Sequence, residues 1–283
     1  MDIYSDNRVV LTLDAGGTNL VFNAFKGGKA MIEGIRKDAH AHHLERCLGN
    51  MKAGFHEVMQ ELEEKPVAIS FAFPGPADYS NGIIDNSNNL PAFKGGVPLK
   101  SILEEEFGLP VFINNDGDLF AYGEALGGIL PEINARLEAS GSPKRYRNLV
   151  GFTLGTGFGG GFVSDGRLIS GDNVTAAEVW LFSNRHSPEV NAEDVVSIRA
   201  VQRVYASEAG LPYPNELEPK DIYEIAIGEQ EGDRRAALKA YEETGRALGD
   251  TVANVLTFID GIAVSGGGIT GASVLYMPAV MEE

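Results

Sequence analysis

Short apolar blocks separated by glycine-rich turns organise the first third of the chain. Val9–Leu13 and Val21–Phe25 have strand length and strand composition, and Lys26-Gly-Gly-Lys29 separates the second from a third strand expected at Ala30–Ile35. Leu44, Leu48, Met51, Phe55, Met59 and Leu62 then recur every three or four residues, the spacing of an amphipathic helix whose apolar stripe faces a core. Val67–Phe73 is a nearly unbroken apolar run ending at Pro74-Gly75-Pro76, as a buried strand does when it empties into a loop. Pro98–Phe107 predicts a short helix, Val111–Ile113 a strand ending at Asn114-Asn115-Asp116, and Asp118–Gly127 another helix. Residues 131–148 are polar, mixed in charge and broken by Gly141-Ser-Pro143, and read as an inserted surface excursion.

The pattern then restarts. Leu149–Leu154 predicts a strand feeding Gly155-Thr-Gly-Phe-Gly-Gly-Gly161, with another strand beginning at Phe162–Val163. Strand, glycine turn with a threonine, strand: this repeats the opening and points to two related halves. Helices follow at about Ala192–Ala209 and Arg234–Phe258, and a final strand, Gly261–Val264, runs into Gly266–Gly268.

Composition narrows the chemistry. The 283 residues carry 23 Lys and Arg against 40 Asp and Glu, a net charge of −17. Such a chain repels polyanions, so nucleic acid is disfavoured as a partner and any phosphate site is built from backbone N–H groups and a metal rather than a basic patch. One cysteine, Cys47, rules out an internal disulfide framework or a Cys-based zinc site. No basic-then-apolar leader pattern opens the chain and no apolar run has bilayer length, so a cytoplasmic location is expected.

Leu11-Thr-Leu-Asp14-Ala-Gly16-Gly17-Thr18-Asn19 is the first candidate site. Glycines let a backbone turn tightly and approach a ligand, and the N–H groups of such a turn form an anion-binding concavity. Asp14 suits a hydrated Mg²⁺, and the Thr18 hydroxyl suits a phosphate oxygen. Taken alone, a turn of this kind more often only joins two strands. The similar turn at Gly155–Gly161 and the third cluster at Gly266–Gly268, each at a strand end, favour the phosphate reading, because ligands of α/β sheets gather beyond the carboxyl ends of strands. No Gly-Lys-Ser/Thr is present for a P-loop. No strong helix follows Gly157–Gly161 as a dinucleotide turn requires.

In their order, the motifs Asp14–Thr18, Pro74-Gly75-Pro76, Asn88-Asn89-Leu90-Pro91, Asn115-Asp116 with Glu124, Gly155–Gly161, Glu178 and Gly266–Gly268 resemble the ROK (repressor, open reading frame, kinase) family of sugar kinases, in its glucokinase-like branch. The resemblance implies an α/β fold of two ribonuclease-H-like lobes around a central cleft, as in the actin-like ATPase superfamily. Residues 1–115 would form the N-terminal lobe and residues 116–283 the C-terminal one. It implies ATP and Mg²⁺ as cofactors and phosphorylation of a hexose or N-acetylhexosamine, at O6. Asp116 matches the catalytic base. Gly75, Asn89, Asn115, Glu178 and Glu193 match sugar ligands. Asp14 matches the metal-side carboxylate, acting through water. Gly16, Gly17, Thr18, Thr156 and Gly157 match phosphate contacts, and Gly267 and Gly268 the adenosine-side loop.

General chemistry supports these roles. A hydroxyl is a poor nucleophile, and a carboxylate that accepts its proton contributes about 10²–10⁴ in rate. Asp118 reads as a helix cap, and Glu124 as a structural helix residue. The sequence also departs from the family. Glu178-Val-Trp-Leu-Phe-Ser-Asn-Arg-His-Ser-Pro-Glu-Val-Asn-Ala-Glu193 has Trp180 and Leu181 where the family has Gly-His, and no cysteine, so no structural zinc is expected. Trp180 reads as a core residue, His186 as a solvated loop histidine rather than a substitute for the family's histidine, and His40, His42 and His43 as solvated. After Gly268 only Ile269–Glu283 remain, fewer residues than the family carries there. Members are often dimers or tetramers, which allows a homodimer. The competing reading is a catalytically silent sugar-binding or sensing protein of the same family.

Overall fold

The computed structural model describes residues 3–73, 75, 77–85 and 90–283. Pro74, Pro76 and Asn86–Asn89, including the sugar ligand expected at Asn89, lie outside the described residues. The chain packs as two compact units, Met1–Leu119 and Phe120–Glu283.

In the first unit a sheet runs in the order β3-β2-β1-β5-β8, with β4 also pairing β2. Its strands are β1 (Val10–Ala15), β2 (Asn19–Lys26), β3 (Lys29–Ala30), β4 (Ile35–Asp38), β5 (Ala68–Ala72) and β8 (Val111–Asn114). A two-stranded ribbon, β6 (Ala77–Asp78) and β7 (Ile83–Ile84), lies between β5 and β8 in sequence. β1 pairs antiparallel with β2 and parallel with β5, and β5 is parallel to β8. The strand expected at Ala30–Ile35 is instead two: β3 ends at Ala30 and β4 begins at Ile35 and continues to Asp38. The polar Arg36-Lys-Asp38 stretch hid β4, which sits at the sheet edge, where both faces need not be apolar.

The helical stripe predicted from Leu44 onward is α1 (Leu44–Glu61), which buries Cys47, Met51, Gly54, Phe55 and Val58. Phe55 meets Phe22 of β2 edge-to-face at 5.0 Å, and Phe107 of α2 (Leu99–Phe107) at 5.7 Å. Gly54 permits this approach, since a Cβ there would lie 2.3 Å from the Phe22 ring. Burial pushes the Cys47 thiol up to about 11, in keeping with an inert core cysteine.

α3 (Asp116–Leu126) spans the boundary between the units. In the second unit α4 (Ile129–Ala139) occupies the first half of the stretch read as an excursion. It faces solvent along most of its length, but Leu130 is buried with Ala121, Leu149 and Val163. A sheet of order β11-β10-β9-β14 follows, from β9 (Asn148–Leu154), β10 (Phe158–Ser164), β11 (Arg167–Leu168) and β14 (Ile262–Gly266). Its glycine turn is a tight hairpin, so β10 begins at Phe158, four residues before the expected start. β12 (Ser183–Asn184) and β13 (Ser187–Asn191) form a small ribbon. The helix expected over Ala192–Ala209 is α5 (Ala192–Val195) and α6 (Ile198–Ala209), separated at Val196-Ser197.

α7 (Pro219–Ile227) was not evident from periodicity, yet it carries a proline in its first turn and a capping box between Glu218 and Asp221. α8 (Arg234–Ile259) is capped by Asp233, whose carboxylate accepts from Ala236 N–H, and crosses the core of the unit. α9 (Ser273–Glu282) packs on α8 where Gly245 leaves room: a Cβ at Gly245 would lie 2.3 Å from the Tyr276 carbonyl oxygen. Its near-continuous apolar character and Pro278 left no helical period to read. No helix among the described residues is long and apolar enough to cross a membrane.

Candidate active site

Parallel strands set out the first group of site residues. Asp14 of β1 is in register with Ala72 of β5, and Ala72 with Asn114 of β8. The carboxyl ends of the three strands therefore lie side by side, about 5 Å from one to the next. From these ends emerge Asp14 with the Gly16–Thr18 turn, then Gly75, then Asn115 and Asp116. This is the edge at which open α/β sheets collect ligands.

The first turn is closed by the Gly16 N–H, which donates to the Asn19 carbonyl at 3.0 Å, and a Cβ on Gly16 would lie 3.1 Å from that oxygen. Asp14, Gly16 and Thr18 are exposed. Gly75 is confined from the other side: a Cβ there would lie 2.9 Å from the Tyr79 hydroxyl, which itself donates to the Phe73 carbonyl at 2.9 Å. Tyr79 thus ties the loop after β5 to the end of that strand.

Asn115, not Asp118, caps α3. Its Oδ1 accepts from the Gly117 N–H at 2.7 Å and from the Asp118 N–H at 3.4 Å. Asp118 lies inside the first turn and is buried. Capping occupies the oxygen of Asn115 and leaves its Nδ2 to donate to a ligand. Asp116, the first residue of α3, is exposed, and its Oδ1 accepts from the Gly117 N–H at 3.0 Å. Its second oxygen, Oδ2, retains lone pairs for an incoming hydroxyl.

The second group lies in the other unit. β14 runs parallel to β9 with Gly266 opposite Thr153, so the Gly155 turn and Gly266–Gly268 leave neighbouring strand ends. Gly267 adopts φ 104, and a Cβ there would lie 2.5 Å from the Leu154 carbonyl oxygen. That same carbonyl accepts from the Ile269 N–H at 3.2 Å, and the Thr270 hydroxyl donates to the Gly267 carbonyl at 2.6 Å. Gly267→Ala combines a left-handed backbone, costing about 1–3 kcal/mol, with a backbone overlap. On the adenosine-side role that the resemblance implies, it is expected to lower the melting temperature and raise the KM for ATP about tenfold; an unchanged KM for ATP would overturn that role.

The Gly155 turn is closed by the Gly155 N–H donating to the Gly157 carbonyl at 3.0 Å, and Thr156 at its tip is exposed. Ile198 at the start of α6 donates its N–H to the Gly155 carbonyl at 2.9 Å. Glu193 lies directly against this turn. Its Oε2 accepts from the Phe158 N–H at 3.1 Å, a Cβ on Gly157 would lie 2.9 Å from that oxygen, and its Oε1 pairs with Arg199 at 3.0 Å. Neither Phe158 nor Arg199 was singled out by the sequence motifs; only the packing of α5 and α6 against the turn joins them to Glu193.

Glu178 is half-buried and precedes a single turn of 3-10 helix, Val179–Leu181. It borders an open cavity of about 370 Å³ whose other walls include Val150, Phe162, Phe182 and Val255. The Trp180 indole N–H donates to Glu178 Oε2. Trp180, expected in the core, does pack against the core of the second unit, but its polar edge reaches the glutamate. His186 sits in the β12–β13 turn with its ring 3.1 Å from the Glu283 carboxylate. Among the described residues no group of three or more His, Cys, Asp and Glu side chains could enclose a metal. A single exposed carboxylate such as Asp14 instead suits Mg²⁺, which keeps several waters and takes its remaining ligands from substrate phosphates.

Comparison with known proteins identifies the family. The ROK family model matches residues 10–283. A glucokinase structure from Parabacteroides distasonis is 54% identical and superposes with a TM-score of 0.92, covering 100% of this chain and 79% of its own. The N-acetyl-D-glucosamine kinase of Vibrio cholerae is 26% identical over 281 residues, 93% of this chain and 85% of that one. The glucokinase of Thermotoga maritima is 26% identical over 292 residues, 97% and 86% of the two chains. With a family match from β1 to the last residue, on a mixed α/β framework whose three candidate glycine clusters stand at strand ends, the chain belongs to the ROK family.

Proposed function

We propose that this chain transfers the γ-phosphoryl group of ATP to O6 of a hexose or N-acetylhexosamine, with Asp116 as general base. It is an ATP-dependent sugar kinase of the ROK family. The observation that carries the finer reading is the single sheet edge that holds Asp14, Gly16–Thr18, Gly75, Asn115 and an exposed Asp116. The similar chains named as glucokinases and N-acetyl-D-glucosamine kinases support the two sugar classes.

In this reading Gly75, Asn89, Asn115, Glu178 and Glu193 hold sugar hydroxyls. The N–H groups of Gly16, Gly17 and Gly157 and the hydroxyls of Thr18 and Thr156 hold phosphate oxygens, and Gly267 and Gly268 border the adenosine. Asp116 Oδ2 takes the proton of the sugar hydroxyl as its oxygen bonds to phosphorus and the bond to the ADP oxygen breaks. The proton then passes from Asp116 to water. Asp14 would hold Mg²⁺ through water, and the bound ion would supply positive charge that offsets the phosphates. Fixed donors aimed at the transferring group give the largest gain in such a reaction, because little covalent chemistry falls to the protein.

Residues 1–115 would carry the first phosphate turn and part of the sugar site, and residues 116–283 the second phosphate turn, the adenosine loop and the remaining sugar ligands. The sheet orders of the two units support their assignment as ribonuclease-H-like lobes. A homodimer acting on a small sugar, without nucleic acid or membrane, completes the reading; a net charge of −17 opposes a polyanionic partner.

An ADP-release assay with Mg-ATP across glucose, N-acetylglucosamine, mannose and N-acetylmannosamine tests the proposal. At least one sugar is expected to turn over and its 6-deoxy analogue to fail. Sugar binding without turnover of any of them would instead favour a silent sugar-binding protein.

A further inference from the structure

The contact between Trp180 and Glu178 is built into the backbone around it. Ala177, immediately before the glutamate, adopts φ 61, and its carbonyl accepts from the Val179 N–H at 2.7 Å. The Glu178 carbonyl in turn accepts from the Leu181 N–H at 3.2 Å. Val179 is buried against β10, where Gly160 makes room: a Cβ there would lie 2.6 Å from the Ala177 carbonyl oxygen and 3.1 Å from the Val179 side chain. The turn is thus held at its centre, and the side chains of Glu178 and Trp180 leave it on either side of Val179 and meet.

A glutamate has three rotatable bonds, and fixing them for a ligand costs free energy that a pre-formed hydrogen bond offsets. Apart from Thr175, the residues that line the cavity with Glu178, among them Val150, Phe162, Phe182 and Val255, are apolar and offer no side-chain donor. The indole N–H does offer one, from a ring that the core of the second unit holds in place.

We propose that Trp180 is a positioning residue for sugar binding: its N–H holds Glu178 Oε2, so that Oε1 is presented to a sugar hydroxyl. This rests on the reading of Glu178 as a sugar ligand. It also predicts that Glu178 serves the sugar through one oxygen, which limits the glutamate to one strong acceptor position.

Trp180 is the only tryptophan in the chain, which makes the test clean. Replacing tryptophan biosynthetically with benzothienylalanine exchanges the N–H for sulfur at this one position and keeps the bicyclic ring. The KM for the preferred sugar of the panel is expected to rise about tenfold, with kcat, the KM for ATP and the melting temperature unchanged. Trp180→Phe should follow the same pattern, and Glu178→Gln should raise the sugar KM independently. An unchanged sugar KM in the benzothienylalanine protein, with a raised one in Glu178→Gln, would overturn the role of Trp180 and leave that of Glu178 standing. An unchanged sugar KM in Glu178→Gln would remove the underlying reading, and the proposal with it. In the natural protein, Trp180 emission should change on titration with that sugar, with a midpoint near its KM; no change would count against the proposal.

Discussion

Asp116→Asn is expected to lower kcat for sugar phosphorylation by about 10²–10⁴-fold, the usual worth of a general base. The substitution is nearly isosteric and keeps an oxygen that can accept from the Gly117 N–H, as Oδ1 does at 3.0 Å. The start of α3 is therefore preserved, and sugar binding should change little. What is lost is the second carboxylate oxygen as a proton acceptor. Asn115→Ala provides the contrast. It removes one neutral ligand bond worth about 0.5–1.5 kcal/mol, tenfold or less in affinity, together with the cap on Gly117 and Asp118. Its effect should fall on KM and melting temperature rather than on kcat. Steady-state kinetics at saturating Mg-ATP separate the two, and a fully active Asp116→Asn protein would dismiss Asp116 as the base.

Phe55→Ala should cost about 3–5 kcal/mol of stability, the range for emptying a large aromatic site in a core. The ring is fully buried and touches three others: Phe22 at 5.0 Å, Phe107 at 5.7 Å and Phe71 at 6.3 Å. It therefore joins α1 to β2, β5 and α2. The Phe22 and Phe107 contacts are edge-to-face, a geometry that contributes about 0.5–1.5 kcal/mol beyond burial. Against a typical total of about 5–15 kcal/mol, this loss would remove much of the first unit's margin. Urea denaturation followed by far-UV circular dichroism measures it, and a shift below about 1 kcal/mol would show that the neighbouring rings close the gap. Asp116 closely follows β8 of the sheet that this core supports, so kinase activity should be lost at a lower temperature while kcat in the cold remains near its natural value.

Much of the framework was legible because it is local. Three glycine turns at the ends of apolar runs, the heptad-like stripe from Leu44, and the long α8 all follow from chemistry within a few residues of each other. The missed elements lacked such a signal. β4 is polar because it lies at an edge, α7 shows itself through its cap rather than its period, and α9 is too uniformly apolar to have a readable face. α4 falls in a stretch whose charge suggested a loop, yet one buried leucine suffices to dock it.

The candidate site divided in the same way. Asp14, Gly16, Gly157 and Gly267 stood out as candidates because turns and strand ends demand particular residues at particular places, whereas the roles of Asn115 and Asp116 came from the family resemblance. Glycine at 267 is required by a positive φ and a neighbouring carbonyl, and a sequence records such a demand directly. Parallel pairing of β1, β5 and β8 then decides that residues about a hundred positions apart share one edge. Tertiary structure alone decided how Glu178 and Glu193 are used. It set Glu193 against the Phe158 N–H and, by packing the Trp180 ring against the second unit's core, turned that indole onto Glu178, whereas the cap of α3 by Asn115 in place of Asp118 is a local choice. The physical reason is that backbone constraints act between neighbours in the chain, whereas a carboxylate's partners are whichever donors packing brings within about 3 Å, and no spacing rule encodes that.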